Sequence, residues 1–149
     1  MKMRGYMDRL IIAAAAAADA GEVPVAAAIV NANGEVIAVA ENRMKRDDNA
    51  LHHAEILAIQ AAMAETGQSR LDECDLWVTL EPCTMCAGAI AHARIKRLYF
   101  AAHDEKAGAV ESGVRFFDSP SCHHSPEIYS GIGANKAAAL LREFFAVRR

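Results

Sequence analysis

The sequence has few cysteines, prolines and aromatic residues, and it has no excess of positive charge. Its 149 residues include four cysteines and four prolines, and aromatic residues make up 6%. Four cysteines are too few for a disulfide-stapled fold, and a Cys-x-x-Cys pair in such a chain indicates metal or redox chemistry in a reducing cytoplasm. Sixteen Lys and Arg residues against nineteen Asp and Glu residues give a net charge of −3. Any contact with nucleic acid therefore has to be local.

What remains is the composition of an ordinary globular protein. Hydrophobic residues make up 53% of the chain and charged residues 23%, a balance that excludes intrinsic disorder and collagen-like repeats. No repeat, low-complexity linker or shift in composition divides the chain. The length then predicts a single domain over residues 1–149.

One alanine-rich stretch near the N terminus allows two interpretations. Basic residues precede Leu10-Ile11-Ile12 and six alanines, and Ala18-Asp19-Ala20 has the small-x-small form of a signal-peptide cleavage site. Against this, Asp8 interrupts the basic region, and alanine favours helices over membrane insertion. We therefore favour an amphipathic helix over residues 4–19, and we expect a cytoplasmic protein that makes no membrane contact.

Further along the chain, apolar runs and turn residues predict alternating strands and helices. Strands are predicted at residues 25–30, 36–40, 76–80 and 97–101, with Asn33-Gly34 as a hairpin turn between the first two. Helices are predicted at residues 53–63, 83–93 and 135–147, the last beginning at Asn135, and residues 107–133 are predicted as loop and short turns. This order predicts an α/β fold with a mixed sheet and helices on both faces.

Three side chains with metal-ligating chemistry fall at the predicted starts of two helices. Cys83 and Cys86 are three residues apart in a first helical turn, so both sulfur atoms can reach one ion. The N terminus of a helix also stabilises thiolates. His53 supplies a third ligand, and three protein ligands leave the fourth position of a zinc ion open to water, which is typical of a catalytic site. Glu55 lies two positions after His53 and is expected to point away from the ligand direction. We therefore expect it to accept the water proton as the general base rather than to bind the metal.

Other residues keep simpler interpretations beside the functional ones. Cys83 and Cys86 could instead be a redox pair, although such a pair does not need an upstream His-x-Glu. We expect His52 to face solvent, and Glu81 is either a hydrogen-bonding partner near the site or a solvated strand end. Cys74 and Cys122 have no partner cysteine at ligand spacing, so we expect spare thiols rather than a second metal site. For His123 and His124, which lie in the irregular segment, we expect loop packing or an RNA-facing contact rather than a second metal.

The motifs His53-Ala54-Glu55 and Pro82-Cys83-x-x-Cys86 match the H-x-E…P-C-x-x-C pattern of zinc nucleobase deaminases. Through nearly the whole chain, including residues 76–90 and 100–108 and the closing Phe144-Phe145-x-x-Arg148-Arg149, the sequence resembles the bacterial tRNA-specific adenosine deaminases. The resemblance implies a three-layer α/β/α cytidine-deaminase-like sandwich and a homodimer. It also implies one Zn²⁺ per subunit and conversion of the wobble adenosine of a tRNA anticodon to inosine.

The resemblance also assigns individual roles. It implies that Asn42 contacts the purine edge, that the backbone N–H of Ala54 helps to hold the attacked centre, and that Glu55 moves protons. On the RNA side it implies contacts from Asp104, Lys106, Arg148 and Arg149. We further expect residues 87–93 to present an exposed alanine-lined helix face that packs against a second copy of the chain.

One segment departs from the family pattern and keeps alternatives open. The chain has Asn49-Ala50-Leu51-His52 where the family usually has Asp-Pro-Thr-Ala, and residues 44–46 differ as well. These changes favour, as an alternative, a deaminase of free bases or nucleosides such as guanine or cytosine. A non-enzymatic alternative is a zinc-containing RNA-binding module.

Overall fold

The computed structural model describes residues 2–148. Within that range the helices are α1 (Lys2–Asp19), α2 (Ala54–Thr66), α3 (Thr84–Ala93) and α4 (Ala134–Val147). The strands are β1 (Ala26–Val30), β2 (Val36–Glu41), β3 (Asp75–Leu80), β4 (Arg97–Ala102) and β5 (Glu127–Ser130). These elements follow one another in nearly the order that the sequence predicts.

The strands form one mixed sheet in the order β2-β1-β3-β4-β5. β1 pairs antiparallel with both β2 and β3, whereas β3, β4 and β5 run parallel to one another. The β1–β2 connection is the predicted hairpin, and Gly34 in its turn has a φ of +81° that glycine adopts without strain. Helix α3 joins β3 to β4, because parallel neighbours need a crossover connection.

Helices cover both faces of the sheet, so the predicted three-layer α/β/α sandwich is confirmed. On one face, α1 and α4 pack over a core that includes Met7, Leu10 and the stacked rings of Trp77 and Tyr99, whose centroids lie 4.0 Å apart. On the other face, α2 and α3 pack over a larger aliphatic core. One face of α1, with Met7, Leu10, Ala14 and Ala17, therefore forms part of the folded core. None of the helices that the structure describes has the length and apolar character of a membrane span.

Two sequence predictions about local structure are wrong. Residues 127–130 lie in the stretch predicted as loop, yet they form β5 at the edge of the sheet. Four residues are too few to show the alternating pattern of a strand, and backbone pairing with β4 stabilises the extended conformation. Helix α4 begins at Ala134 after Gly133, whose φ is +76°, and Asn135 does not cap it.

The prediction that α3 presents an exposed alanine face for dimer contact is also wrong. Ala87, Ala91 and Ala93 are buried against the core of their own chain, where small side chains let α3 approach the sheet and α2 closely. The partly exposed residues of α3 are Met85, Gly88 and Ala89. The face predicted to meet a second copy is therefore already occupied within the monomer.

Candidate metal centre and substrate cavity

His53, Cys83 and Cys86 come together at the end of β3, where α2 and α3 both begin. Their ligand atoms all lie within 4.8 Å of one another, and the group is the one cluster of this kind among the residues that the structure describes. His53 Nδ1 lies 3.6 Å from the Sγ of Cys83 and 3.5 Å from the Sγ of Cys86. Ligands of one tetrahedral zinc ion are separated by roughly 3.3–3.8 Å, so these spacings and this donor set fit a single ion.

Local helix geometry places these ligands. His53 is the residue before α2 and Cys83 is the residue before α3, both with extended backbone, so each helix begins one residue later than the sequence predicts. Neither side chain caps its own helix with a hydrogen bond. Their ligand atoms are therefore free to meet, and the N–H groups of two helix starts surround the site with positive potential.

The thiols and the imidazole share protons unequally. The hydrogen bond from Cys86, followed by the one from His53, lowers the pKa of the Cys83 thiol to about 4. The hydrogen bond between His53 and Cys83 raises the pKa of the His53 imidazole. The hydrogen bond between Cys86 and Cys83, together with burial, raises the pKa of the Cys86 thiol. The two sulfur atoms are therefore suited to hold negative charge between them, and a divalent cation would displace the remaining protons.

A cavity of about 200 Å³ opens directly beside this group. Glu55 lines it and is only 4% exposed, and burial raises the pKa of its carboxyl group to about 7. A carboxyl group with such a pKa can both accept and donate a proton near neutral pH. The cavity also has apolar walls that no sequence motif predicted, formed by Val23, Val25, Met44 and Leu80.

The structure brings three of the four proposed substrate-contacting residues to this cavity and leaves one outside. Asn42, Ala54 and Asp104 line the cavity. Asn42 is 5% exposed, and its Oδ1 atom has no hydrogen-bond donor within the described part of the chain. Ala54 is the first residue of α2, so its N–H has no helical acceptor. Lys106 lies on a neighbouring cavity of about 810 Å³.

The two cavities share part of their walls, including Asp104. The Asp104 carboxylate accepts hydrogen bonds from the backbone N–H groups of Lys106 and Ala107, so it shapes its own loop. The larger cavity also carries Phe145 and Arg148, and the Arg148 guanidinium lies 3.6 Å from the centroid of the Phe144 ring. Arg149 lies outside the described residues.

Glu81 anchors the loop that carries Asp104. It is 2% exposed, and its carboxylate accepts hydrogen bonds from the backbone N–H groups of residues 104 and 110–112 and from the hydroxyl of Ser112. Of the two interpretations of Glu81, the hydrogen-bonding partner is therefore correct. Its position directly before Pro82-Cys83 was the sequence signal.

The remaining singled-out residues take structural roles. His52 contacts the Asp47 carboxylate at 2.8 Å. All four cysteines are free thiols, and Cys122 donates a hydrogen bond to the carbonyl oxygen of His124. The His124 ring in turn lies 2.7 Å from the carbonyl oxygen of Ile95, which fits loop packing, whereas His123 is exposed.

Comparisons with known proteins agree with this site. A family model described as MafB19-like deaminase matches residues 1–147, so the fold and the site define a deaminase, which is a hydrolytic enzyme. The chain is 49% identical over 144 residues to the tRNA-specific adenosine deaminase of Agrobacterium fabrum, covering 97% of this chain and 94% of that protein. It is 37% identical to the Bacillus subtilis protein of the same name, covering 94% and 86%. The chain belongs to the family of tRNA-specific adenosine deaminases.

Solved structures show the same relationship. A structure from work on A-to-I editing by tRNA:A34 deaminases superposes with a TM-score of 0.90 at 49% identity, covering 92% of this chain and 99% of that one. A guanine deaminase from Nitrosomonas europaea superposes with a TM-score of 0.73 at 28% identity, covering 96% and 82%. The resemblance inferred from the motifs is thus confirmed, and the non-enzymatic alternative is not supported.

Proposed function

We propose that this chain is a zinc-dependent enzyme that converts the wobble adenosine of a tRNA anticodon to inosine. Water replaces the amino group at C6 of the base, and ammonia leaves. The observation that carries the proposal is the near full-length similarity to tRNA-specific adenosine deaminases, together with the grouping of His53, Cys83 and Cys86 beside a buried Glu55. It is a single-domain enzyme of the cytoplasm.

His53, Cys83 and Cys86 would hold one Zn²⁺ per subunit. When bound there, the ion supplies Lewis-acid activation of water. Glu55 takes a proton from the attacking water and delivers it to the ring nitrogen next to C6, which keeps charge from building on the ring. Glu55 then takes the proton of the hydroxyl group now on C6 and delivers it to the amino group, so that the C6–N bond breaks, the C6 oxo group forms and ammonia leaves. The raised pKa of Glu55 supports this double role.

The small cavity holds the base alone. The side-chain amide of Asn42 contacts the purine edge, which gives its unpartnered Oδ1 atom a hydrogen-bond donor. The N–H of Ala54 faces the attacked centre. A cavity of about 200 Å³ cannot admit a duplex, so the target base has to be unpaired and turned out of its stack, as a base of an anticodon loop can be.

The larger cavity holds the RNA next to the target nucleotide. Lys106 and Arg148 provide positive charge for phosphates, and the half-exposed Phe145 provides a ring for stacking. Asp104 stands between the two cavities and shapes the loop that separates them. Arg149 continues the same basic run in the sequence. Lys106, Arg148 and the Phe145 ring support local RNA contacts in a chain whose net charge is negative.

The test is deamination of an anticodon stem-loop with adenosine at the wobble position, beside the same stem-loop with that adenosine moved into the stem. We expect inosine only in the first RNA, and we expect the rate to fall with added salt as phosphate contacts weaken. Free adenine, guanine, cytosine and their nucleosides are assayed in parallel for ammonia release. If the protein consumes only free bases or nucleosides, the RNA substrate is wrong. The chain would then be a free-base or nucleoside deaminase, the alternative that its similarity to a guanine deaminase favours.

The chain acts as a homodimer. This part of the proposal is supported by the family resemblance alone, since the alanine face of α3 is buried within the monomer. Sedimentation at micromolar concentration should give about twice the 16.0 kDa of one chain. A monomeric mass for a fully active sample would refute it.

A further inference from the structure

A third buried carboxylate, Glu22, lies outside the metal group and the catalytic proton path. It is 1% exposed. Its Oε1 atom accepts a hydrogen bond from the backbone N–H of Lys45 at 3.2 Å, and its Oε2 atom accepts one from the backbone N–H of Arg46 at 2.7 Å. Glu22 thus fixes the main chain of the segment that follows β2. This is the segment whose residues depart from the family pattern.

The Arg46 side chain completes this arrangement with three contacts. Its Nε atom lies 3.3 Å from Glu22 Oε2, its Nη1 atom lies 2.8 Å from Glu41 Oε1, and its Nη2 atom donates to the carbonyl oxygen of Asn42 at 2.7 Å. Two carboxylates therefore hold one guanidinium, and the guanidinium holds the backbone of Asn42. A lysine at this position could not reach all three acceptors with one point charge.

The main chain of Asn42 is consequently fixed on both sides. Its N–H donates to the carbonyl oxygen of Val25 at 3.0 Å, and its carbonyl oxygen accepts from Arg46. The side chain, by contrast, lines the cavity, and its Oδ1 atom has no donor in the described chain. A fixed backbone with a free amide is the arrangement expected of a residue that is preorganised for a ligand.

We propose that Arg46, held in place by Glu22, is a positioning residue that fixes the Asn42 amide for contact with the substrate base. This inference rests on the proposed function, because it assumes that Asn42 contacts the base. Arg46 does not line the cavity and acts through Asn42 alone. Displacement of a contacting group by about 1 Å can cost roughly 100-fold in rate, so the loss should be visible in turnover.

The test is a double-mutant cycle on the stem-loop substrate with Arg46→Met and Asn42→Ala. Arg46→Met keeps the aliphatic stem and removes all three contacts, and we expect kcat/KM to fall about 10- to 100-fold with unchanged metal content. If Arg46 acts through Asn42, the double variant is no worse than Asn42→Ala within about threefold. Arg46→Lys should give an intermediate loss. Arg70→Met, an exposed residue far from the cavity, is the matched control and should keep wild-type kcat/KM.

Two kinetic outcomes would overturn the inference: wild-type kcat/KM in Arg46→Met, or losses that multiply in the double variant. Failure of the proposed function is distinguishable, because it shows in the wild type as absence of inosine before any variant is compared. Amide hydrogen exchange gives a readout without turnover. Arg46→Met should speed exchange at the N–H groups of Asn42 and Lys45 by about tenfold, whereas unchanged exchange there would also refute the inference.

Discussion

Gly108 and Glu81 pack so closely that a methyl group on Gly108 would lie 2.5 Å from the Cδ atom of Glu81. This contact lets the loop over residues 104–112 fold onto the buried carboxylate that precedes Pro82-Cys83. A short bridge between Cys83 and Gly108 joins the same loop to the metal group. One wall of the cavity beside Glu55 and one proposed metal ligand, Cys83, are therefore held by a single packed unit.

Gly108→Ala should break up this unit. The new methyl group overlaps both the carboxylate and nearby backbone, so we expect the free energy of unfolding to fall by about 2 kcal/mol in urea denaturation. Gly5→Ala in α1 is the control, because no atom lies within 4 Å of its added Cβ, and it should gain up to about 1 kcal/mol from helix propensity. Equal stabilities for the two variants would contradict the packing described for Gly108.

Glu55→Gln should separate metal binding from chemistry. The amide keeps the size of the side chain and removes proton transfer, so we expect kcat to fall about 100- to 10,000-fold while zinc content stays unchanged. Glu65→Gln, on the exposed face of the same helix, should behave like the wild type. A variant that loses zinc with its activity would make Glu55 a ligand instead.

Cys86→Ser should release the metal. Cys86 is fully buried beside His53 Nδ1, and a hydroxyl is a much poorer zinc ligand than a thiolate. We expect less than about a tenth of the wild-type zinc content in protein purified without chelator. Cys122→Ser removes a thiol outside the group and should leave the zinc content unchanged. Equal zinc in the two variants would remove Cys86 from the ligand set.

Glu22 should make the free energy of unfolding decrease as the pH falls in the acid range. Burial acts to raise the pKa of Glu22, but the backbone hydrogen bonds from Arg46 and Lys45, and then the Arg46 guanidinium, outweigh it and lower the pKa in the folded state. The nearby Glu41 carboxylate shares the same guanidinium. A lowered folded-state pKa stabilises the fold above the ordinary pKa of the group, and this stability disappears as the pH falls through the lowered value.

The measurement is urea denaturation of the wild type and Glu22→Gln between about pH 7 and pH 3. The wild type should be the more stable at neutral pH, and the difference should shrink as the pH falls below the ordinary pKa of glutamate. A difference that stays constant over this range would show that Glu22 keeps its ordinary pKa when folded.

The sequence by itself determined the elements and the chemistry of the site. Apolar periodicity and turn residues predicted the hairpin, the four helices and the first four strands, because these signals act between neighbours in the chain. The His53-x-Glu55 and Cys83-x-x-Cys86 spacings predicted the ligands and the general base for the same reason. Helices α2 and α3 each begin within one residue of the predicted start, so these residues lie at helix N termini as expected.

Tertiary structure alone decided the features that depend on distant partners. β5 exists because β4 pairs with it, and the alanines of α3 are buried because that helix packs onto α2 and the sheet. Glu81 serves a loop more than twenty residues away, and Arg46 joins Glu22 to Asn42 across the end of the sheet. Burial and hydrogen bonding between such residues are set by the packed chain as a whole, so no local pattern in the sequence carries them.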